Sequence, residues 1–221
     1  MDSLYVLPIL LFSVVIHEVA HGWMALRLGD PTARDLGRLT LNPLPHIDPI
    51  GSIAIPLLSF LSAGTVFIAW AKPVPVNPLF FRDRRRGDIL VSVVGPLSNL
   101  VMAFACAVLY VVSVRLIGPG EIPQEGFAAL ASTFVIRMFG AGVTLNIVLA
   151  VFNLIPVPPL DGSHVLAALL PPGAAERFRQ IGFFGILVVI FLMRVSVFRD
   201  AFYAVVLTLR APYELLIHGL L

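Results

Sequence analysis

The 221-residue chain predicts an all-α, multi-pass membrane protein of about five to six transmembrane helices, with a re-entrant segment and room for a small β-hairpin. Three observations predict it. Hydrophobic residues make up 58% of the chain and charged residues 13%, against the roughly 25% charged of soluble domains. Mean hydropathy is +0.95. Apolar runs of spanning length recur throughout, since roughly 20 residues cross a hydrocarbon core of about 30 Å. The composition leaves no stretch for a separate soluble domain, and a net charge of +2 makes no case for nucleic acid binding.

Residues 4–28 form the first expected span. It follows "MDS", acidic where a secretory leader would be basic, and no small-residue cleavage site follows, so it reads as a retained helix. Further spans are expected at 89–117, 127–152, 181–193 (short) and 197–217. Residues 50–71 are apolar enough to cross but are interrupted by Gly51, Pro56 and Gly64. Arg27, Arg34 and Arg38 on one side of that segment and "RDRRRGD" (82–88) on the other both mark the inner face, which forbids an odd crossing between them. The segment should therefore dip in and return, walled by protein or a wet cavity. On this parity Arg115, Arg137, Arg194 and Arg199 fall outside or near it and the other 11 of 15 Lys and Arg fall inside. The arginine run reads as a solvated inner loop that fixes orientation, with anionic lipid contact secondary. Cys106, the only cysteine, excludes an intrachain disulfide and reads as packing.

"VVIHEVAHGWMA" (14–25) places two histidines and a glutamate in the first span. His17 and His21, four apart, share one helix face, so both imidazoles can reach one ion. H-E-x-x-H is the pattern in which two histidines hold Zn²⁺ and the glutamate, here Glu18, accepts a proton from water. Chance explains three specified residues on a soluble helix; at mid-membrane an acidic group costs about 2.5–3.5 kcal/mol and points to function. His17 lies 13 residues beyond Leu4, roughly 20 Å down the helix at 1.5 Å per residue, inside the membrane toward its inner face. A catalytic zinc site usually has three protein ligands. Asp161 in "FNLIPVPPLDGSHVL" is the best third candidate, the sole acidic residue from 127 to 175. Pro156, Pro158 and Pro159 break the helix before it, and Gly162 permits a close approach or a positive φ. An N-cap role for Asp161 is a comparable reading of the residues alone.

The paired motifs, in this order and on membrane spans, resemble the site-2 protease family of intramembrane zinc metalloproteases, with "GPLSN" (95–99) between them resembling a third part of its core. The chain looks like a compact subgroup without an inserted PDZ domain. The resemblance covers about residues 10–170 and implies one Zn²⁺ per chain held by His17, His21 and Asp161, with Glu18 as general base. It implies that Asn153 orients substrate or stabilises an oxyanion; capping of a broken helix end is an equal alternative. It also implies one membrane-embedded protease domain over 1–221, with a catalytic core of about 4–170 and C-terminal helices at 176–221. The expected activity is cleavage of membrane-spanning or membrane-anchored proteins near the cytoplasmic face of the cell membrane. Residues 36–43, "LGRLTLNP", are a candidate edge strand for substrate, the alternative being an ordinary inner loop. His46 is expected to face solvent ahead of gating or ligating metal, His164 to support the site or pack, and His218 to sit at the interface. The rival class is a metal-ion or proton transporter or channel, which would spread such residues through the bilayer.

Overall fold

The computed structural model describes residues 5–54, 58, 71–117 and 126–221. Among these the chain is helical, with no strand. The expected re-entrant path of 50–71 and the outer loop at 118–126 lie largely outside the described residues.

Helix α1, Val6–Arg27, is the first span. It stops because Gly29, at φ 106°, turns the chain so that the Gly29 and Asp30 amides reach back to the Leu26 and Ala25 carbonyls at 3.1 and 2.9 Å, closing the helix end without help from water. Helix α2, Arg84–Ile117, begins beyond the arginine run and packs antiparallel to α1, as residues 17 and 21 of α1 meet 99 and 91 of α2. Helix α3, Gly126–Asn153, returns along α2. These three helices are long and apolar enough to cross a membrane. Between them sit Ile9, Ala103, Cys106, Ala107, Val143 and Ile147. The small residues bring the backbones close, which matters because lipid tails remove the hydrophobic drive and leave van der Waals contact to hold helices together.

After α3 the proline-rich loop carries a cis Pro158–Pro159 peptide and leads into α4, Asp161–Leu169, and α5, Pro172–Arg179. The expected separate spans at 181–193 and 197–217 form instead a bent pair, α6 (Gly185–Arg194) and α7 (Ser196–Leu220). Their 91° bend makes them at most one broken span, giving three to four candidate spans among the described residues. Length explains the difference: ten residues at 1.5 Å each give about 15 Å, half of a hydrocarbon core. α7 in turn carries Arg199, Asp200, Arg210 and Glu214. It packs through Phe202 and Val206, and the Tyr213 hydroxyl donates to the Leu100 carbonyl of α2 at 3.1 Å.

The segment 36–43 is not a strand. Leu36 and Gly37 close a turn on Thr32 and Arg34, and residues 38–43 are irregular. The segment packs instead against an extended strap, residues 71–77. Arg38, only 8% exposed, donates to the Lys72 and Pro73 carbonyls at 2.8 and 3.3 Å. Asp30, fully buried, accepts from the Thr32 amide and hydroxyl on one oxygen and from the Asn77 amide at 2.6 Å on the other. The strap is thereby laid beneath α1.

Candidate active site

His17, His21 and Asp161 come together from α1 and α4. Their facing atoms form a small triangle: His17 Nε2 to His21 Nε2 is 3.0 Å, His17 Nε2 to Asp161 Oδ2 is 3.1 Å, and His21 Nε2 to Asp161 Oδ1 is 3.3 Å. Donors bound to one tetrahedral ion at 2.0–2.1 Å stand about 3.3 Å apart. The N-cap position of α4 is held by Leu160, and Asp161 makes no capping hydrogen bond, so its carboxylate is turned to the imidazoles. Gly162 serves by close approach, not by a positive φ: a Cβ there would lie 2.2 Å from the Leu154 carbonyl oxygen.

Hydrogen bonds on the far side of each ring decide what the triangle can be. His21 Nδ1 lies 2.7 Å from the Val91 carbonyl, which can only accept, so Nδ1 carries a proton and Nε2 is the nitrogen turned to the triangle. His17 reaches the same state through a relay. The Gly142 carbonyl accepts from Asn146 Nδ2 at 2.9 Å, Asn146 Oδ1 accepts from Asn99 Nδ2 at 3.1 Å, and Asn99 Oδ1 accepts from His17 Nδ1 at 2.7 Å. Both asparagines are fully buried. Two imidazole nitrogens and a carboxylate thus face one point, a donor set and spacing that fit a shared divalent cation. Outer partners of this kind are what orient metal-binding histidines.

The "GPLSN" run supplies the other half of the fit. A Cβ on Gly95 would lie 2.4 Å from His21 Cε1 and Nε2 and 2.7 Å from His17 Cε1, so only glycine lets α2 lie against both rings. Pro96 cannot donate to the Ser92 carbonyl, which interrupts the helical ladder one turn ahead, beside the Val91 carbonyl that serves His21.

Glu18 lines the same cavity, about 470 Å³, together with Asn153, Ser92 and His164. One Glu18 oxygen accepts the Val74 amide of the strap at 2.7 Å. Asn153 donates one N–H to the Leu149 carbonyl at 3.0 Å. His46 does not face solvent: it is 2% exposed, donates through Nε2 to the Thr40 carbonyl at 3.0 Å, and its own carbonyl accepts from Lys72. It stands outside the metal triangle. Gly95 and Asn99 fall in the "GPLSN" run that the sequence singles out without a role for either, and Asn146 and Val91 are the parts that motif reading passes over. The available signal was an amide in each of two apolar helices, Asn146 sitting two turns before Asn153 on the same face.

A membrane helix bundle with a two-histidine, one-aspartate metal triangle and an adjacent glutamate defines a zinc metalloprotease, and the chain belongs to peptidase family M50, whose model matches residues 113–193. It is 40% identical over 188 residues to a Bacillus subtilis (strain 168) protein named as a zinc metalloprotease, YwhC, covering 85% of this chain and 79% of that one. Proteins named as zinc metalloprotease Rip2 are also similar. That of Mycobacterium tuberculosis H37Rv is 30% identical over 89% of this chain and 69% of its own length. That of Mycolicibacterium smegmatis is 29% identical, over 83% and 64%. No solved structure matches.

Proposed function

We propose that the chain is an intramembrane zinc endopeptidase that hydrolyses peptide bonds of membrane-spanning or membrane-anchored proteins near the cytoplasmic face. The observation that carries this is the convergence of three metal-ligating side chains, their donor atoms all within 4.8 Å of one another, on helices of membrane character. His17, His21 and Asp161 would hold the ion. Bound zinc would supply Lewis acidity, making a nearby water a better nucleophile near neutral pH. Glu18 takes the water's proton and delivers it to the leaving amine. Asn153, with one N–H engaged by Leu149, turns its other N–H to the oxygen that gains charge on attack.

The inner-face placement is supported by Arg27 at the end of α1 and by Arg82, Arg84, Arg85 and Arg86 at the start of α2, the ends nearest the triangle in the antiparallel pair. The finer topology of one membrane domain, with residues 50–71 dipping in and returning between the first two spans, belongs to this reading. Thiol labelling of single cysteines placed at 85 and 120, applied from the two sides of sealed vesicles, tests it.

Activity is tested with purified protein in zinc-containing proteoliposomes and single-span reporter substrates. Wild type should cleave them; Glu18→Gln should keep one zinc per chain and lose about 10²–10⁴-fold in rate. Full cleavage by that variant would remove Glu18 from the chemistry. Zinc flux across the vesicle without proteolysis would make the protein a transporter, a reading the clustering of all three ligands at one depth disfavours.

A further inference from the structure

Two cavities meet at the metal triangle, and they differ in character. The larger one contains the triangle and opens past Asp88 and His164. The second, about 250 Å³, lies beyond His17, Glu18, Asn153 and Pro159, which line both. Its other walls are mainly apolar, Val14 of α1, Leu149 and Phe152 of α3, Leu160, and Phe183 and Ile186 beside and on α6, with Asn99 of α2 the one polar side chain among them. A chamber that shares its entrance with the groups that would act on a peptide bond is within one side chain's reach of that bond. Its size fits such an occupant, since an apolar cavity of about 150 Å³ already admits a benzene ring.

We propose that this chamber is a specificity pocket that receives a large apolar side chain, leucine to phenylalanine in size, from one fixed residue beside the scissile bond. The proposal rests on the proteolytic reading above. A peptide whose carbonyl is delivered to the metal triangle must point its flanking side chains away from that carbonyl in both directions along the chain. One direction offers a cavity with several charged and polar groups, the other a chamber whose walls beyond the shared residues are apolar except for Asn99. Burying an apolar side chain there contributes to binding in proportion to its area, while glycine or alanine leaves the chamber unfilled. A single methylene in an apolar pocket discriminates about 10-fold or more, so leucine over alanine should exceed that. Ile186 is the wall residue best suited to tune the pocket, because it belongs to α6 and has no part in holding metal.

The test uses zinc-loaded protein in proteoliposomes and a panel of single-span reporters with an alanine–valine transmembrane segment and a central Asn-Pro break. Each of the three positions on either side of the break is varied through Gly, Ala, Leu and Phe, and product termini are read by mass spectrometry. Wild type should favour Leu or Phe over Ala by about 10-fold or more at one position next to the cut, the same in all cleaved reporters. Ile186→Trp should erase or invert that ratio, and Ile186→Ala should move the preference toward Phe; bound zinc shows which variants are folded, and either one suffices. Cleavage by wild type with no size preference at either flanking position, or a preference unchanged in both variants, would overturn the pocket while leaving the protease intact. No cleavage of any reporter by wild type would overturn the proteolytic reading and the pocket with it.

Discussion

Asn99 accepts the Nδ1–H of His17 at 2.7 Å, and that bond turns the ring's other nitrogen toward His21 and Asp161. Neither residue is near the other in sequence, being 82 positions apart, yet one sets the chemistry of the other.

Replacing Asn99 by alanine should weaken zinc binding by about 10–100-fold, the usual cost of losing an outer partner of a ligating histidine. Asn146→Ala should weaken it less, and the double variant should be no worse than Asn99→Ala alone, because both act through one relay. Competition with a zinc chelator of known affinity measures all three; additive losses would show that the relay is not a unit.

Gly95→Ala should abolish stoichiometric zinc binding while leaving helix content unchanged. Alanine favours helix over glycine by about 1 kcal/mol, so a weakened α2 cannot account for the loss. Circular dichroism and metal analysis on the same sample check it.

Zinc removal should lower thermal stability in wild type and not in His17→Ala. A ligand present at 100 times its Kd contributes about 2.7 kcal/mol to the folded state. Thermal unfolding with and without chelator gives the comparison.

Asp30→Asn should destabilise the protein by about 1–3 kcal/mol, the range for leaving a buried donor without its acceptor. The carboxylate accepts from Thr32 on one oxygen and Asn77 on the other, and an amide can accept on only one side. Thermal melting, with faster proteolysis within 28–81, reports it.

The metal triangle was legible in the sequence because lipid makes ionisable groups expensive, so His17, Glu18, His21 and Asp161 stand out wherever they fall. The spans of α1, α2 and α3 were legible for a related reason: each is an unbroken apolar run of sufficient length. The relay role of Asn99, though it ends the "GPLSN" run, and the presence of Asn146 in it were not, since an amide in a helix costs far less than a carboxylate and its partner lies on another helix. His46 reads as an inner-loop residue because what buries it, the Thr40 carbonyl and the Lys72 amide, is backbone and leaves no mark in composition. At the bend, α7 packs on α3 while Gly185 of α6 lies against the Pro158 carbonyl of the proline loop, relations among distant segments that hydropathy does not carry.

The relay that ends at His17 begins at a main-chain oxygen, that of residue 142. A carbonyl can accept and never donate, whatever side chain evolution places on it. The polarity of the whole line is therefore anchored in a group that point mutation cannot rewrite: substitutions can sever the line at 99 or 146, but none at its origin can reverse its direction.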